Sequence, residues 1–404
     1  MKNRSIRDGL KLLHKPDVRK LFLAYLITYT GTAMAPIAMA FGVLELTGSA
    51  GDSGIVIAAP TAASIAVLLL GGVLADRTSR QRIMVIAELL AMVAQFGIAF
   101  LFLANVATIP VLVILALING VAIALNVPAA TGLVTQLVDK QHLQDINALL
   151  GIARHGAISG GAALGGILVA VFGAGITLML DALSFGLSAL LVMSLKLARQ
   201  QQPEKASLIQ DLKLGWKEFT SHTWLWVIVL QFAFVVAALE SVMALLGPAV
   251  AREQMGGAAD WGFIAASFGA GTLLGGLVAM KISAKYPMRF ATYCVFPLSS
   301  IPLVLAVPLS PFLVASTAFL AGIGVQLFAV TWYTTLQSKV PGHMLSRVSA
   351  YDHLGSIALA PVGIIIAGFL FESIGARGTL NIAALIVIVP TALVLFVRDV
   401  RLMT

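Results

Sequence analysis

The sequence predicts an all-α membrane protein with twelve transmembrane helices. Three observations carry that prediction: an excess of apolar residues, twelve apolar runs of spanning length, and positive charge gathered on one side of them. Hydrophobic residues make up 59% of the 404 positions and charged residues only 11%, against about 25% charged in ordinary globular domains. A chain of this size cannot hide so much apolar surface from water. About 20 apolar residues cross a ~30 Å hydrocarbon core. Runs of that kind fall approximately at 21–46, 54–75, 83–104, 109–136, 148–173, 176–195, 223–250, 260–281, 288–308, 311–338, 350–374 and 379–397.

Placing the N-terminus inside puts 24 of the 26 Lys and Arg on the cytoplasmic face and leaves only Arg252 and Arg377 outside. The opposite orientation would invert that count, so both termini are predicted to be cytoplasmic. The net charge of +8 is then explained by contact with the anionic inner leaflet, and no nucleic-acid partner is expected. Ala38-Met-Ala40 imitates a signal-peptidase site, but the run before it is too long and carries Tyr25, Thr28 and Tyr29, so the first helix is expected to be retained. Cys294 is the only cysteine, which excludes an intramolecular disulfide framework and a thiolate cluster. There is no zinc-type His pair and no phosphate-binding loop. No metal, cofactor or nucleotide is expected, and ATP is not the expected energy source.

The chain reads as two six-helix halves, 1–195 and 223–404, around a polar linker at 196–222. Ser207-x-x-Gln210 reads as a capping box. Leu208, Ile209, Leu212, Trp216 and Phe219 then share one face, as in an amphipathic helix lying on the inner surface. A partner-binding helix is the alternative. The halves look like copies. Val138, Leu143, Ile146 and Ala148 recur as Val340, Leu345, Val348 and Ala350, and Phe172-Gly173 as Ile374-Gly375, all at an offset of 202. Two such halves, pseudo-symmetric about the membrane normal, suit alternating access.

Gly72-Val-Leu-Ala-Asp76-Arg77-Thr-Ser-Arg80-Gln-Arg82 sets a Gly, an Asp and three Arg in a tight turn between two apolar runs. The spacing resembles the signature loop between helices 2 and 3 of the major facilitator superfamily. Further along, the Pro128-Ala-Ala130, Leu143-x-x-x-Asn147-Ala-Leu149, Asp181-Ala-Leu-Ser-Phe185, Leu246-Gly-Pro248 and Arg347-Val-Ser-Ala-Tyr-Asp352 stretches resemble one exporter branch of it. That branch includes macrolide-efflux and enterobactin-export proteins of the drug:proton antiporter kind. The similarity covers essentially the whole chain and implies the major facilitator fold. Gly160-Gly-Ala162-Ala-Leu-Gly165-Gly166 is similar to the helix 5 element of that branch, with Ala162 where a Pro is usual.

Asp76 can bond exposed amides at a neighbouring helix start, and Arg77, Arg80 and Arg82 can reach carboxylates, which makes Gly72–Arg82 a candidate gating loop. A purely topogenic basic turn would need the Arg but not the Gly72–Asp76 spacing. Ionisable groups within the membrane cost about 2.5–3.5 kcal/mol each at mid-bilayer, so the few present are informative. Glu88, about one turn into its run, and Asp181, similarly shallow, are proton-coupling candidates. Glu240, sixteen residues into the seventh run, is the leading one, since a carboxyl group there can exchange a proton as its surroundings change. A structural Glu bonded to a neighbouring helix or a water is the alternative. Arg154, His155, Asp352 and His353 fall at inner helix ends and are expected to be interfacial.

Gly156, Gly160, Gly161, Gly165 and Gly166 recur at helical spacing and are expected to let helices pack closely, as are Gly271 and Gly275. The resemblance implies a cavity lined by helices 1, 4, 7 and 10. Its candidates are Tyr25, Tyr29, Thr32, Asn119, Asn126, Gln231, Phe232, Gln326 and Trp332. Aromatic rings with few polar groups suit a bulky amphipathic molecule better than a sugar, although Tyr and Trp also anchor helices at the membrane interface. The expectation is a non-enzymatic, monomeric exporter of the bacterial inner membrane. It would exchange protons for hydrophobic or amphipathic molecules such as antibiotics, dyes or a siderophore-like metabolite. A nutrient importer or uniporter and a non-transporting sensor are the rivals.

Overall fold

The computed structural model describes residues 12–77, 79–138, 142–196, 208–279, 282, 284–307, 310–341 and 344–403. Every regular element among them is helical. The helices used below are α1 (Pro16–Thr47), α2 (Ala50–Arg77), α3 (Arg80–Leu103), α4 (Ile109–Leu137), α5 (Leu143–Met193), α6 (Leu208–Ser221) and α7 (Thr223–Ser241). They continue with α8 (Gly247–Gln254), α9 (Ala258–Ala279), α10 (Pro287–Tyr293), α11 (Ser300–Leu305), α12 (Pro311–Lys339), α13 (Leu345–Ile357), α14 (Ala360–Val394) and α15 (Arg398–Leu402). Among the described residues, 10 segments are long and apolar enough to cross a membrane, two of them as long as 45 and 47 residues.

Those two long segments bend at glycine. Gly173 in α5 has φ 79° and ψ 174°, and Gly375 in α14 has φ 76° and ψ 172°. That region is open essentially to glycine alone. Thr177 Oγ1 donates to the Gly173 carbonyl at 2.9 Å, and Thr379 Oγ1 to the Gly375 carbonyl at 2.9 Å. The offset that relates the two stretches of sequence therefore also relates two identical turns. Alanine at either glycine is expected to cost about 1–3 kcal/mol and to lower the melting temperature of detergent-purified protein. Gly151→Ala, where an added Cβ meets nothing within 4 Å, is the control and is expected not to lower it.

The chain forms two compact units. Residues 1–47 and 59–203 make one, 48–58 and 204–404 the other. In the first, α1 lies directly on α5. A Cβ at Gly161 would strike the Thr30 carbonyl and one at Gly165 would sit 2.8 Å from Met34 Cα, so only small residues allow that approach. Gln81 Nε2 caps the end of α5, donating to the carbonyls of Val192 and Leu195, both at 2.9 Å, which supplies partners for carbonyls that a helix end leaves open. Leu21, Met84, Leu133, Ile146 and Leu149 form the core beside these ends.

In the second unit α9 and α12 cross backbone to backbone. A Cβ at Gly271 would run into the Phe319 carbonyl, one at Gly322 into the Phe268 carbonyl, and one at Gly275 would lie 2.8 Å from the Ile323 carbonyl. Residues 48–58 join this unit through Glu372 of α14. Its Oε1 accepts from Ser49 Oγ at 2.6 Å and from the Gly51 amide at 2.9 Å, while Ser49 Oγ also accepts the Asp52 amide at 2.9 Å. The start of α2 is thus capped twice, and a carboxylate at a helix N-terminus is stabilising. Trp216 and Phe219 of α6 pack on Tyr351 of α13, with ring centroids 5.4 and 6.0 Å away. Those are two of the five apolar positions read from the sequence; the side chains of Leu208, Ile209 and Leu212 lie outside the described residues. Ser207 and the rest of 197–207 lie outside the described residues.

Candidate functional site

Three residues of α7 and α12 build a ring stack in the second unit. Phe232 and Phe328 lie with centroids 4.1 Å apart, Phe328 and Trp332 6.0 Å apart, and Trp224 closes the row edge-on to Trp332 at 5.5 Å. Phe328 and Trp332 are four residues apart and so share a face of α12. The stack walls a cavity of about 140 Å³, with Asp352, His353 and Ser356 of the next helix on its polar side. Trp332 Nε1 donates to Asp352 Oδ2 at 3.0 Å, and Asp352 is buried. A void of about 150 Å³ takes a benzene-sized molecule. The cavity therefore has room for one ring or one ammonium head group. Aromatic faces beside a carboxylate attract a cation.

Asp352 corrects the expectation that it is interfacial. It is a buried wall of the site, with His353 and Phe328 beside it. Sequence reading missed Phe328, although its i, i+4 spacing to Trp332 was visible. Gln231 is corrected as a cavity residue, because it is buried and its Nε2 donates to Thr391 Oγ1 at 2.9 Å. A second cavity, about 290 Å³, lies between α7 and α14 with Phe234, Ile366 and Ile382 among its walls. Its hydroxyls, Ser241 and Thr379, donate to carbonyls of their own helices, so among the described residues its walls offer no free hydroxyl donor.

In the first unit the polar groups turn to one another. Asn126 Nδ2 donates to Glu88 Oε1 at 3.1 Å and Asn119 Nδ2 to Gln95 Oε1 at 3.0 Å. Both pairs step by seven residues along antiparallel α3 and α4. Asn119 and Asn126 were expected in an open cavity, and instead serve this helix–helix contact. Thr28 Oγ1 reaches the other oxygen of Glu88 at 3.3 Å. Glu88 lies more than two turns into α3 and is 2% exposed, and Asp181 is 1% exposed, so both carboxyl groups are enclosed by protein. Arg154 lies eleven residues into α5 rather than at its end, with its guanidinium 5.3 Å from the Tyr29 ring centroid.

The profile described as transmembrane secretion effector matches residues 9–398. The chain belongs to that family. Among transmembrane secretion effector relatives, the multidrug efflux pump Tap of Mycobacterium tuberculosis is 25% identical over 93% of this chain and 91% of its own length. The enterobactin exporter EntS of Shigella dysenteriae is 25% identical over 93% and 92%. The fold matches the nucleoside transporter NupG, with a TM-score of 0.75 at 13% identity over 94% of this chain and 98% of that one. A bacterial homologue of the lysosomal transporter Spinster, inward-facing and unoccupied, matches with a TM-score of 0.75 at 14% identity over 94% and 96%. This effector is a major facilitator transporter and a multi-pass bacterial cell membrane protein.

The remaining candidates of this transmembrane secretion effector are placed as follows. Gly72, Asp76 and Arg77 close α2, and their side chains lie outside the described residues. Arg80 and Arg82 open α3 behind the Ser79 N-cap. Gly156 and Gly160 correct the packing expectation, since an added Cβ would meet nothing within 4 Å at either, whereas Gly161 and Gly165 make the contacts and Gly166 is buried. Tyr25 and Tyr29 pair with centroids 5.5 Å apart, Thr32 is exposed, and Gln326 lies half-buried beside Gly276. Glu240 is exposed and immediately precedes a π-helical turn, Val242–Leu246, a feature common at functional sites. Among the described residues no hydrogen bond or ion pair holds it.

Proposed function

We propose that this transporter exports amphipathic small molecules, lipophilic cations foremost, in exchange for protons across the bacterial inner membrane. The carrying observation is the Phe232–Phe328–Trp332 stack with Asp352 on its flank. It suits the flat or cationic end of a molecule whose remainder lies outside the cavity. The relatives named for multidrug efflux and enterobactin export favour the outward direction.

Twelve crossings accompany this reading. At 1.5 Å per residue a straight α5 would span more than twice a ~30 Å core, and the bends at Gly173 and Gly375 divide α5 and α14 into two limbs each. The lysine and arginine distribution then puts both termini in the cytoplasm and the Gly72–Arg82 gating loop on that side. Glu240, exposed and held by no hydrogen bond or ion pair among the described residues, is taken to meet water or a charged substrate. The chain is taken to work as a monomer.

Everted vesicles, acidified inside, test the reading. Ethidium or another lipophilic cation is expected to draw protons out of the interior as it enters, and Phe328→Ala is expected to weaken that response about tenfold. The loss of one buried aromatic contact, on the order of 1–2 kcal/mol, corresponds to that factor. Vesicles that respond to no cation, or in which Phe328→Ala changes nothing, would count against it.

A further inference from the structure

Two carboxylates of the first unit meet at a single turn of α1. A Cβ at Gly31 would run into Ser184 Oγ and the Asp181 carboxylate, so the bare backbone of α1 lies against Asp181. Three residues earlier, Thr28 Oγ1 donates to Glu88 Oε2. Residues 28 and 31 are about 4.5 Å apart along the helix axis. Glu88 of α3 and Asp181 of α5, 93 positions apart in sequence, therefore bracket one turn.

The bracket is enclosed and incompletely bonded. Asp181 Oδ2 is buried without a hydrogen-bond partner among the described residues. Asp181, Ser184 and Ser188 follow one another at i, i+3 and i+7, so all three line one face of α5. Ser184 Oγ donates to the Asp181 main-chain carbonyl at 2.8 Å and lies 3.5 Å from Asp181 Oδ1. A buried carboxylate oxygen with no donor is costly as an anion and is relieved by a proton. Among the described residues, the charged and titratable groups placed near the pair are Tyr25 and Tyr29 of α1 and Arg154 of α5, while α4 contributes the neutral Asn126.

We infer that Glu88 and Asp181, joined across the Thr28–Gly31 turn of α1, form the site that holds the exchanged proton. This rests on the proton-exchange reading above and relocates its proton from Glu240 to the first unit. Protonation removes the repulsion between the pair and lets α1 seat against α5 at Gly31. Deprotonation favours separation of the carboxylates, which requires α1 to shift. Proton occupancy is in this way tied to the position of a helix.

Infrared difference spectroscopy on the purified full-length chain tests the pair without any substrate. The C=O stretch of carboxyl groups that stay protonated above about pH 6, where exposed Asp and Glu are ionised, is followed through a pH titration. Glu88→Gln and Asp181→Asn are each expected to remove about half of the signal and to shift the midpoint of the remainder, as coupled sites do. Glu240→Gln is expected to leave it in place. A signal that survives the double variant, or that Glu240→Gln alone abolishes, overturns the assignment. If a carboxylate variant fails to fold, Thr28→Val carries the test, and an unmoved midpoint counts against the pair. In everted vesicles held about one pH unit more acidic inside, Asp181→Asn is expected to lower steady-state ethidium accumulation about tenfold, because exchange of one proton for one monovalent cation is electroneutral and the ethidium gradient can only match the proton gradient. Ethidium counterflow should persist. Wild-type vesicles idle towards ethidium would sink the exchange reading and leave the spectroscopic result standing, whereas wild-type and variant vesicles of equal activity would sink the pair.

Discussion

Asp352→Asn is expected to cut export of lipophilic cations tenfold or more while leaving neutral amphipaths within about twofold, because a contact to a charged group is worth about 1.5–3 kcal/mol and about 1.4 kcal/mol is a factor of ten. Among the described residues the carboxylate is the one acidic group lining the ring-walled cavity, and asparagine keeps its shape and the bond from Trp332 Nε1. The comparison is between efflux of ethidium and of an uncharged dye of similar size, in cells with matched expression. A parallel fall for both compounds would mean that Asp352 serves the packing of α12 and not the charge of the substrate. An unchanged rate for both would place the substrate elsewhere.

The largest effect on folding is expected at Gly271. Its missing side chain is where the Phe319 carbonyl of α12 sits, and Gly322 meets the Phe268 carbonyl of α9 in return. Gly271→Ala is expected to destabilise by about 1–3 kcal/mol through overpacking, and Gly271→Leu to abolish the monodisperse peak in fluorescence-detected gel filtration. Gly276, on the same helix, provides the contrast. An added Cβ there comes no closer than 3.9 Å, to Gln326, so Gly276→Ala should elute as wild type does. Equal behaviour of the two alanine variants would rule out close α9–α12 approach as what Gly271 provides.

Much of the architecture was legible because the membrane imposes simple rules. Backbone polar groups must be satisfied within each segment, so long apolar runs are helices, and the structure has helices where the runs were read. The offset of 202 also relates Gly173 to Gly375, which the structure shows in the same turn. The small-residue pattern of α5 was read only in part. Periodicity showed glycines in rows, but which of them meet α1 depends on where a second helix crosses, and only Gly161 and Gly165 make that contact.

The candidate site was harder to read, for a related reason. Phe232, Trp332 and Glu240 were picked because aromatic or charged side chains are conspicuous in apolar helices. Asn119, Asn126 and Gln231 looked equally conspicuous and turned out to bond a neighbouring helix of their own unit. A polar residue in a membrane helix must find a partner, and sequence does not say whether that partner is substrate, water or the next helix. Asp352 was misplaced because counting from a run's edge measures depth along one helix and not what leans over it.

The sequence by itself determined that this protein is a bundle of apolar helices in a bacterial membrane, repeated at an offset of 202, and of major facilitator type. Composition, run length and charge asymmetry are properties of single segments, and single segments are all that the bilayer selects. Only the tertiary structure decided which carboxylate faces rings, which faces an asparagine, and which two share a turn of α1. Those pairings join residues between 20 and 93 positions apart. They depend on the crossing points of helices, which are set where glycines let backbones touch.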